Sequence, residues 1–169
     1  NDLSVETEGQ NYFINFTPIP DATNYVLKIY GVGECHINAN GEDITNFLQV
    51  GLNTITLTPV ANEYHISPLE SEPLTIEKFV KLSVISNYSI KKQNDKIMLN
   101  WQSVDESTGY NIKINNQLKQ IAYSEISLDL AQYLSGEGNY EISVQTVGGG
   151  YYLSSDYLSV SYKHKFENA

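Results

Sequence analysis

The sequence predicts an all-β chain built as two antiparallel β-sandwiches in tandem, and three observations lead there. Apolar residues alternate with polar ones over short runs, the pattern of strands with one buried face. Gly, Pro and an Asn-Gly pair punctuate those runs at intervals of about 8–12 residues, the spacing of sandwich strands. The whole pattern then occurs a second time. No stretch carries the i, i+3, i+4 spacing of an amphipathic helix, and residues 43–48 have room for at most one turn.

Composition sets the outer limits. A chain of 169 residues suits two domains, each able to bury about 60% of its unfolded surface without staples. The hydrophobic share of 41% is that of a globular protein, and no run approaches the ~18 apolar residues of a membrane span. A net charge of −10 argues against nucleic acid and anionic membrane surfaces, which need basic patches. All the basic residues are Lys, and a chain without Arg but rich in Asn, Ile, Tyr and Ser reads as the product of an AT-rich bacterial genome. Cys35 stands alone, which rules out an internal disulfide and reads as a small hydrophobe. The chain opens at Asn1 with neither Met nor a signal peptide, so it is expected to be continuous with further domains.

In the first copy, Leu3, Val5 and Thr7 alternate as a short strand ended by Gly9-Gln10. Tyr12, Ile14 and Phe16 form the second, which Pro18 and Pro20 stop because Pro cannot donate to a ladder. Tyr25, Leu27 and Ile29 share one face of the third. A short strand at 35–37 and the Asn40-Gly41 turn follow. Between Thr54 and Val60 the alternation is strong, with Ile55 and Leu57 inward and Thr54, Thr56 and Thr58 outward. After a loop over 63–68, Leu74, Thr75 and Ile76 close the copy.

The second copy repeats that order: Ile97, Leu99 and Trp101; Tyr110, Ile112 and Ile114; Ile126, Leu128 and Leu130; Tyr140, Ile142, Val144 and Thr146; Leu158, Val160 and Tyr162. Sliding one half along the other tests the repeat. The shift that carries Asn15 onto Asn100 also carries Phe16 onto Trp101, Thr23 onto Thr108, Tyr25 onto Tyr110 and Ile29 onto Ile114. One residue more brings Asp43 onto Asp129, and one more again brings Ile55 onto Ile142 and Leu57 onto Val144. Single-residue slips at loops are what a duplicated fold accepts. The predicted domains are 1–79 and 80–169. Residues 77–81 hold no Gly, Pro or Ser-rich spacer, which predicts little freedom between them.

The second copy resembles a bacterial fibronectin type III domain. The resemblance rests on Leu99-Asn100-Trp101, on TGYNIKI at 108–114, on SLDL at 127–130, on YLSGEGNYEISVQTVGGG at 133–150 and on a last strand from Leu153. It implies an immunoglobulin-like sandwich with a tyrosine corner made by Leu134 and Tyr140. The first copy departs from the pattern, with Phe16 for the core Trp and Thr54 where the corner Tyr should stand, and its kinship comes through the internal repeat. The resemblance also implies a non-catalytic spacer or adhesion module of a secreted or cell-surface protein. A glycan- or protein-binding module and an accessory region of a secreted glycoside hydrolase are the alternatives.

Chemistry-bearing motifs are sparse. There is no GxSxG, no HExxH and no glycine loop leading into a helix, so no catalytic residue is assigned. His36, His65 and His164 lack metal-ligand spacing, and Asp105-Glu106 lack the periodicity of a calcium loop, so neither metal nor cofactor is expected. Phe16, Tyr25, Trp101, Tyr110, Leu134 and Tyr140 are assigned to the core. The candidate ligand-binding residues are Tyr151 and Tyr152, which follow Gly148-Gly149-Gly150, and Tyr64, which stands beside His65 at the matching place in the first copy. Neighbouring residues of a strand point to opposite faces, so at least one of each pair is expected to be exposed. The expected partner is an unidentified protein or glycan.

Overall fold

The computed structural model describes residues 2–61, 69–115 and 117–166. The chain divides into two compact units, Asn1–Val80 and Lys81–Ala169.

In the first unit β1 (Ser4–Glu8) pairs with β2 (Asn11–Asn15), which a bridge from Phe13 to Asp43 extends. Facing them is a four-stranded antiparallel sheet in the order β4-β3-β5-β6, with β3 at Ala22–Ile29, β4 at Gly33–Ile37, β5 at Gly51–Ala61 and β6 at Leu74–Lys78. The alternating residues meet between the layers: Ile14, Leu27, Ile37, Ile44 and Ile55 are fully buried, with Tyr12, Phe16, Tyr25 and Leu57 around them. Burying each such aliphatic side chain stabilises the fold by about 1.5–3 kcal/mol. Residues 45–47 make a single 3-10 turn, in line with the one turn expected there.

The second unit, which begins within β7 (Val80–Lys81), repeats the arrangement. One layer is β8 (Ser86–Gln93), β9 (Lys96–Gln102) and β12 (Ser127–Asp129). The other is β11 (Gln117–Ala122), β10 (Gly109–Ile114), β13 (Gly138–Val147) and β15 (Tyr157–His164), in that spatial order. A two-residue strand, β14 (Tyr152–Leu153), precedes β15, and the Leu153 carbonyl accepts a bond from the Leu82 amide. The core gathers Leu99, Trp101, Tyr110, Ile112, Leu130, Ile142 and Val144. The chain is therefore all-β, with both units antiparallel sandwiches.

The turn between the second and third long strands shows the duplication in atoms. In each copy a tyrosine at the start of the third strand reaches back and accepts a bond from a backbone amide six residues earlier. Ile19 donates to the Tyr25 hydroxyl at 2.8 Å and Val104 to the Tyr110 hydroxyl at 2.9 Å. The same rings pack on the aromatic that ends the second strand, Tyr25 on Phe16 at 4.4 Å between centroids and Tyr110 on Trp101 at 5.2 Å. Between the two partners the chain passes through a left-handed residue, Asp21 at φ 67° and Glu106 at φ 62°. A non-glycine residue there is strained, and the turn holds it because the hydroxyl, the ring pair and the flanking strands fix both ends.

A second shared device ties the 3-10 turn to the opposite strand. Asp43 accepts from the Thr45 amide at 2.9 Å and the Thr45 hydroxyl at 2.5 Å, and that hydroxyl accepts from the Tyr12 amide at 2.8 Å. Asp129 makes the connection without an intermediary, accepting from the Ala131 amide at 3.0 Å and the Ile97 amide at 3.1 Å. The Thr45 hydroxyl and amide hold the Asp43 carboxyl below its ordinary value of 3.8, and the Ala131 and Ile97 amides do the same for Asp129.

Two outcomes follow from these contacts. Tyr110→Phe keeps the ring but strands the Val104 amide, and is expected to destabilise the second unit by about 1–3 kcal/mol. Urea unfolding followed by the fluorescence of Trp101, the single tryptophan, measures it. Asp129→Asn removes a carboxylate whose folded pKa is lowered, so its stabilisation is complete above the unfolded value and is lost as pH falls through the folded one. The variant should melt below wild type at pH 7, with the gap closing below about pH 4 in thermal scans across pH.

Candidate functional site

The outward face of β10, β13 and β15 carries a bonded set of polar side chains. Strand register arranges them in rows. Lys113 lies beside Ser143 and Ser143 beside Ser159; one step along, Asn111 lies beside Gln145 and Gln145 beside Tyr157. Within the rows the groups bond to one another: Asn111 Nδ2 to Gln145 Oε1 at 3.0 Å, Gln145 Nε2 to the Ser155 carbonyl at 2.9 Å, and Ser143 to Ser159 at 2.9 Å between hydroxyls. Lys113 crosses the sheet diagonally and sets its ammonium 4.2 Å from the centre of the Tyr157 ring. This cation–π pair spans Ser143, which is only 9% exposed although it points away from the core. Beside it opens a groove of about 570 Å³ lined by Lys113, Asn115, Glu141, Ser143 and Tyr157.

The loop expected to carry function is built differently. Tyr151 lies in a turn and Tyr152 opens β14, so the two are not successive residues of one strand and the expected alternation does not apply. Both are half-buried, which corrects the expectation that one would be exposed. The turn folds back on itself: the Tyr152 amide bonds the Gly149 carbonyl at 3.0 Å, and Gly150 takes φ 61°. Gly148 permits the approach, since a Cβ there would stand 2.2 Å from the Tyr152 carbonyl oxygen. Tyr64 and His65 lie outside the described residues.

The residues assigned to packing divide cleanly. Phe16, Tyr25, Trp101, Tyr110 and Leu134 are buried, and Tyr140 is half-buried against the core of its unit. The Tyr140 hydroxyl donates to the Gly136 carbonyl at 2.8 Å and accepts from its amide at 3.1 Å, a corner clasping the backbone four residues upstream. In the first unit the matching residue is Asn53, not Thr54, because strand pairing sets Ile55 against Ile29 as it sets Ile142 against Ile114. Asn53 is 3% exposed and makes the same clasp with an amide: Oδ1 accepts from Gln49 N at 3.0 Å and Nδ2 donates to Gln49 O at 2.8 Å. Thr56 also departs from expectation. It points outward but is 1% exposed, because Glu70 covers it and accepts its hydroxyl at 2.5 Å.

The remaining reactive side chains stand apart. His36 is exposed beside half-buried Cys35, whose thiol pKa is pushed up by burial and then by the Glu42 carboxylate. His164 is buried at 7% exposure against the rings of Tyr140, Tyr162 and Phe166. Among the described residues no three His, Cys, Asp or Glu side chains gather as a metal site.

The architecture of both units, with a tyrosine corner in the second, is that of fibronectin type III-like sandwiches. Comparison with solved structures bears this out. The chain is similar to a two-domain fibronectin type III segment from chicken tenascin, with a TM-score of 0.62 over 96% of this chain and 98% of that one, at 17% identity. The FN1–FN3 domains of chicken CNTN1 align over 96% of this chain and 66% of theirs, at 15% identity and a TM-score of 0.40. No family model and no curated protein matches the sequence.

The groove escaped the sequence reading because its residues are the polar half of ordinary alternating strands. Only the cross-strand register sets Lys113 and Tyr157 on the same face. The Asn53 clasp invites a direct measurement. Asn53→Ala removes the bonds to the Gln49 amide and carbonyl and to the buried Gly51 carbonyl, and is expected to cost about 1–3 kcal/mol of first-unit stability. Asn53→Asp, which keeps one acceptor, should cost less than half as much at acidic pH, by urea titration followed by circular dichroism.

Proposed function

We propose that the chain is a non-catalytic spacer or adhesion module within a larger secreted or cell-surface bacterial protein. The observation that carries this reading is the repetition of a whole sandwich, with its turn clasp, acidic tie and corner, in one chain. Fibronectin type III-like domains commonly serve in these two roles. In both units the shared side chains serve the fold: Phe16, Tyr25, Trp101 and Tyr110 fill cores, and Asp43 and Asp129 hold backbone amides. The net charge of −10 suits a soluble surface facing water.

The two roles separate in one experiment on the longer polypeptide. The segment is exchanged for an unrelated pair of fibronectin type III domains, and surface display and cell attachment are measured. Display and attachment both retained identifies a spacer; display retained with attachment lost identifies an adhesion module. Recovery of the native polypeptide only in the cytosolic fraction would overturn the extracellular reading.

A further inference from the structure

The groove on the outward face of β10, β13 and β15 lies where, among the described residues, the two units part, although both share the register beneath it. Lys28 lies beside Thr56 as Lys113 lies beside Ser143. In the first unit Glu70 covers Thr56, and Lys28 turns to Tyr30, 5.1 Å away near the end of its own strand. In the second unit Lys113 reaches across to Tyr157 instead, and the space beside that pair stays open.

The chemistry of the lining narrows the ligand. Asn115 Oδ1 is engaged by the Glu141 amide at 3.0 Å, which leaves its NH₂ as a donor. The Lys113 ammonium has three donors and the Glu141 carboxylate is an acceptor, so donors and acceptors face the same groove and the charges cancel locally. Ser143, its hydroxyl bonded to that of Ser159, lines the groove beneath them, and the Tyr157 ring is one apolar wall. A polyanion would meet Glu141 and a chain of net charge −10. A polycation would meet Lys113, and an apolar ligand would desolvate both charges without replacing their hydrogen bonds. A neutral sugar chain answers all three objections: its hydroxyls both donate and accept, and its C–H faces pack against an aromatic wall. The volume of about 570 Å³ lies inside the range of small-ligand sites.

We propose that this groove binds a short segment of neutral oligosaccharide, with Glu141 and Lys113 bonding its hydroxyls and Tyr157 flanking its ring. The site goes beyond the spacer or adhesion reading, which stands or falls by the exchange experiment and not by this one.

The test uses the full chain against immobilised neutral oligosaccharides (gluco-, xylo-, manno- and chito-oligosaccharides), with heparin as the acidic comparator. Binding to at least one neutral series is expected, weakened tenfold or more by Glu141→Gln and by Tyr157→Ala. Lys28→Ala, at the first-unit position that matches Lys113, should leave it unaltered. Glu141 is exposed, so its substitution reads the site even if Tyr157→Ala disturbs the sheet; Trp101 fluorescence reports whether the second-unit variants are folded, and circular dichroism does so for Lys28→Ala. The proposal is overturned if no neutral series binds, if heparin alone binds, if the groove substitutions leave binding intact, or if they abolish only capture of a protein.

Discussion

The interaction on which both sandwiches depend is the bond from a turn amide to a tyrosine hydroxyl, Ile19 to Tyr25 and Val104 to Tyr110. A sandwich needs its two layers joined by a crossing chain, and a crossing chain exposes backbone groups near the core. Here the crossing residue of the third strand satisfies one of those groups itself. Its ring fills the space beside Phe16 or Trp101 while its oxygen terminates the turn. One side chain thus sets the entry angle of the third strand, and that strand pairs with two neighbours in each unit. The strained residues Asp21 and Glu106 sit inside this clamp.

Much of this could be read from the chain. Strict alternation gave the strands because a half-buried sheet demands it, and Tyr25 and Tyr110 matched because both must occupy the same crossing. What could not be read was geometry that depends on a partner strand. Asn53 does the work of Tyr140 with a different functional group, and no residue-type comparison pairs an amide with a phenol. Thr54 and Asn53 are interchangeable by sequence spacing, because a one-residue slip in register is invisible until the ladder is known. Thr56 belongs to the outward set by periodicity and is buried all the same, its hydroxyl donating to Glu70, fourteen residues away. Alternation alone makes Tyr151 and Tyr152 strand neighbours, whereas Gly148 and Gly150 allow a tight turn that breaks the alternation between them.

The comparison of the copies also locates where function has room to arise. The inward faces are held by packing and differ by conservative exchanges such as Ile44 for Leu130 and Leu57 for Val144. The outward face of the four-stranded sheet has no such constraint. One copy closes it with an acid over a threonine, and the other leaves charged and aromatic side chains around an open space. A scaffold whose stability resides on one face of each strand leaves the other face free to vary.

The unlike corners, Asn53 in one unit and Tyr140 in the other, bear on how such a chain reaches its native state. Neighbouring repeats fold beside each other, and exchange of equivalent strands between them is a characteristic failure of repeat proteins. A long strand carrying Asn53 offers a short amide to the Gln49 backbone, whereas the turn at Gly136 is shaped for the longer reach of a phenol. Either strand placed in the other sandwich would leave its clasp unmade and a polar group unpaired. The divergence that blurs the repeat in the sequence therefore makes the two corners chemically distinct, an amide in one and a phenol in the other.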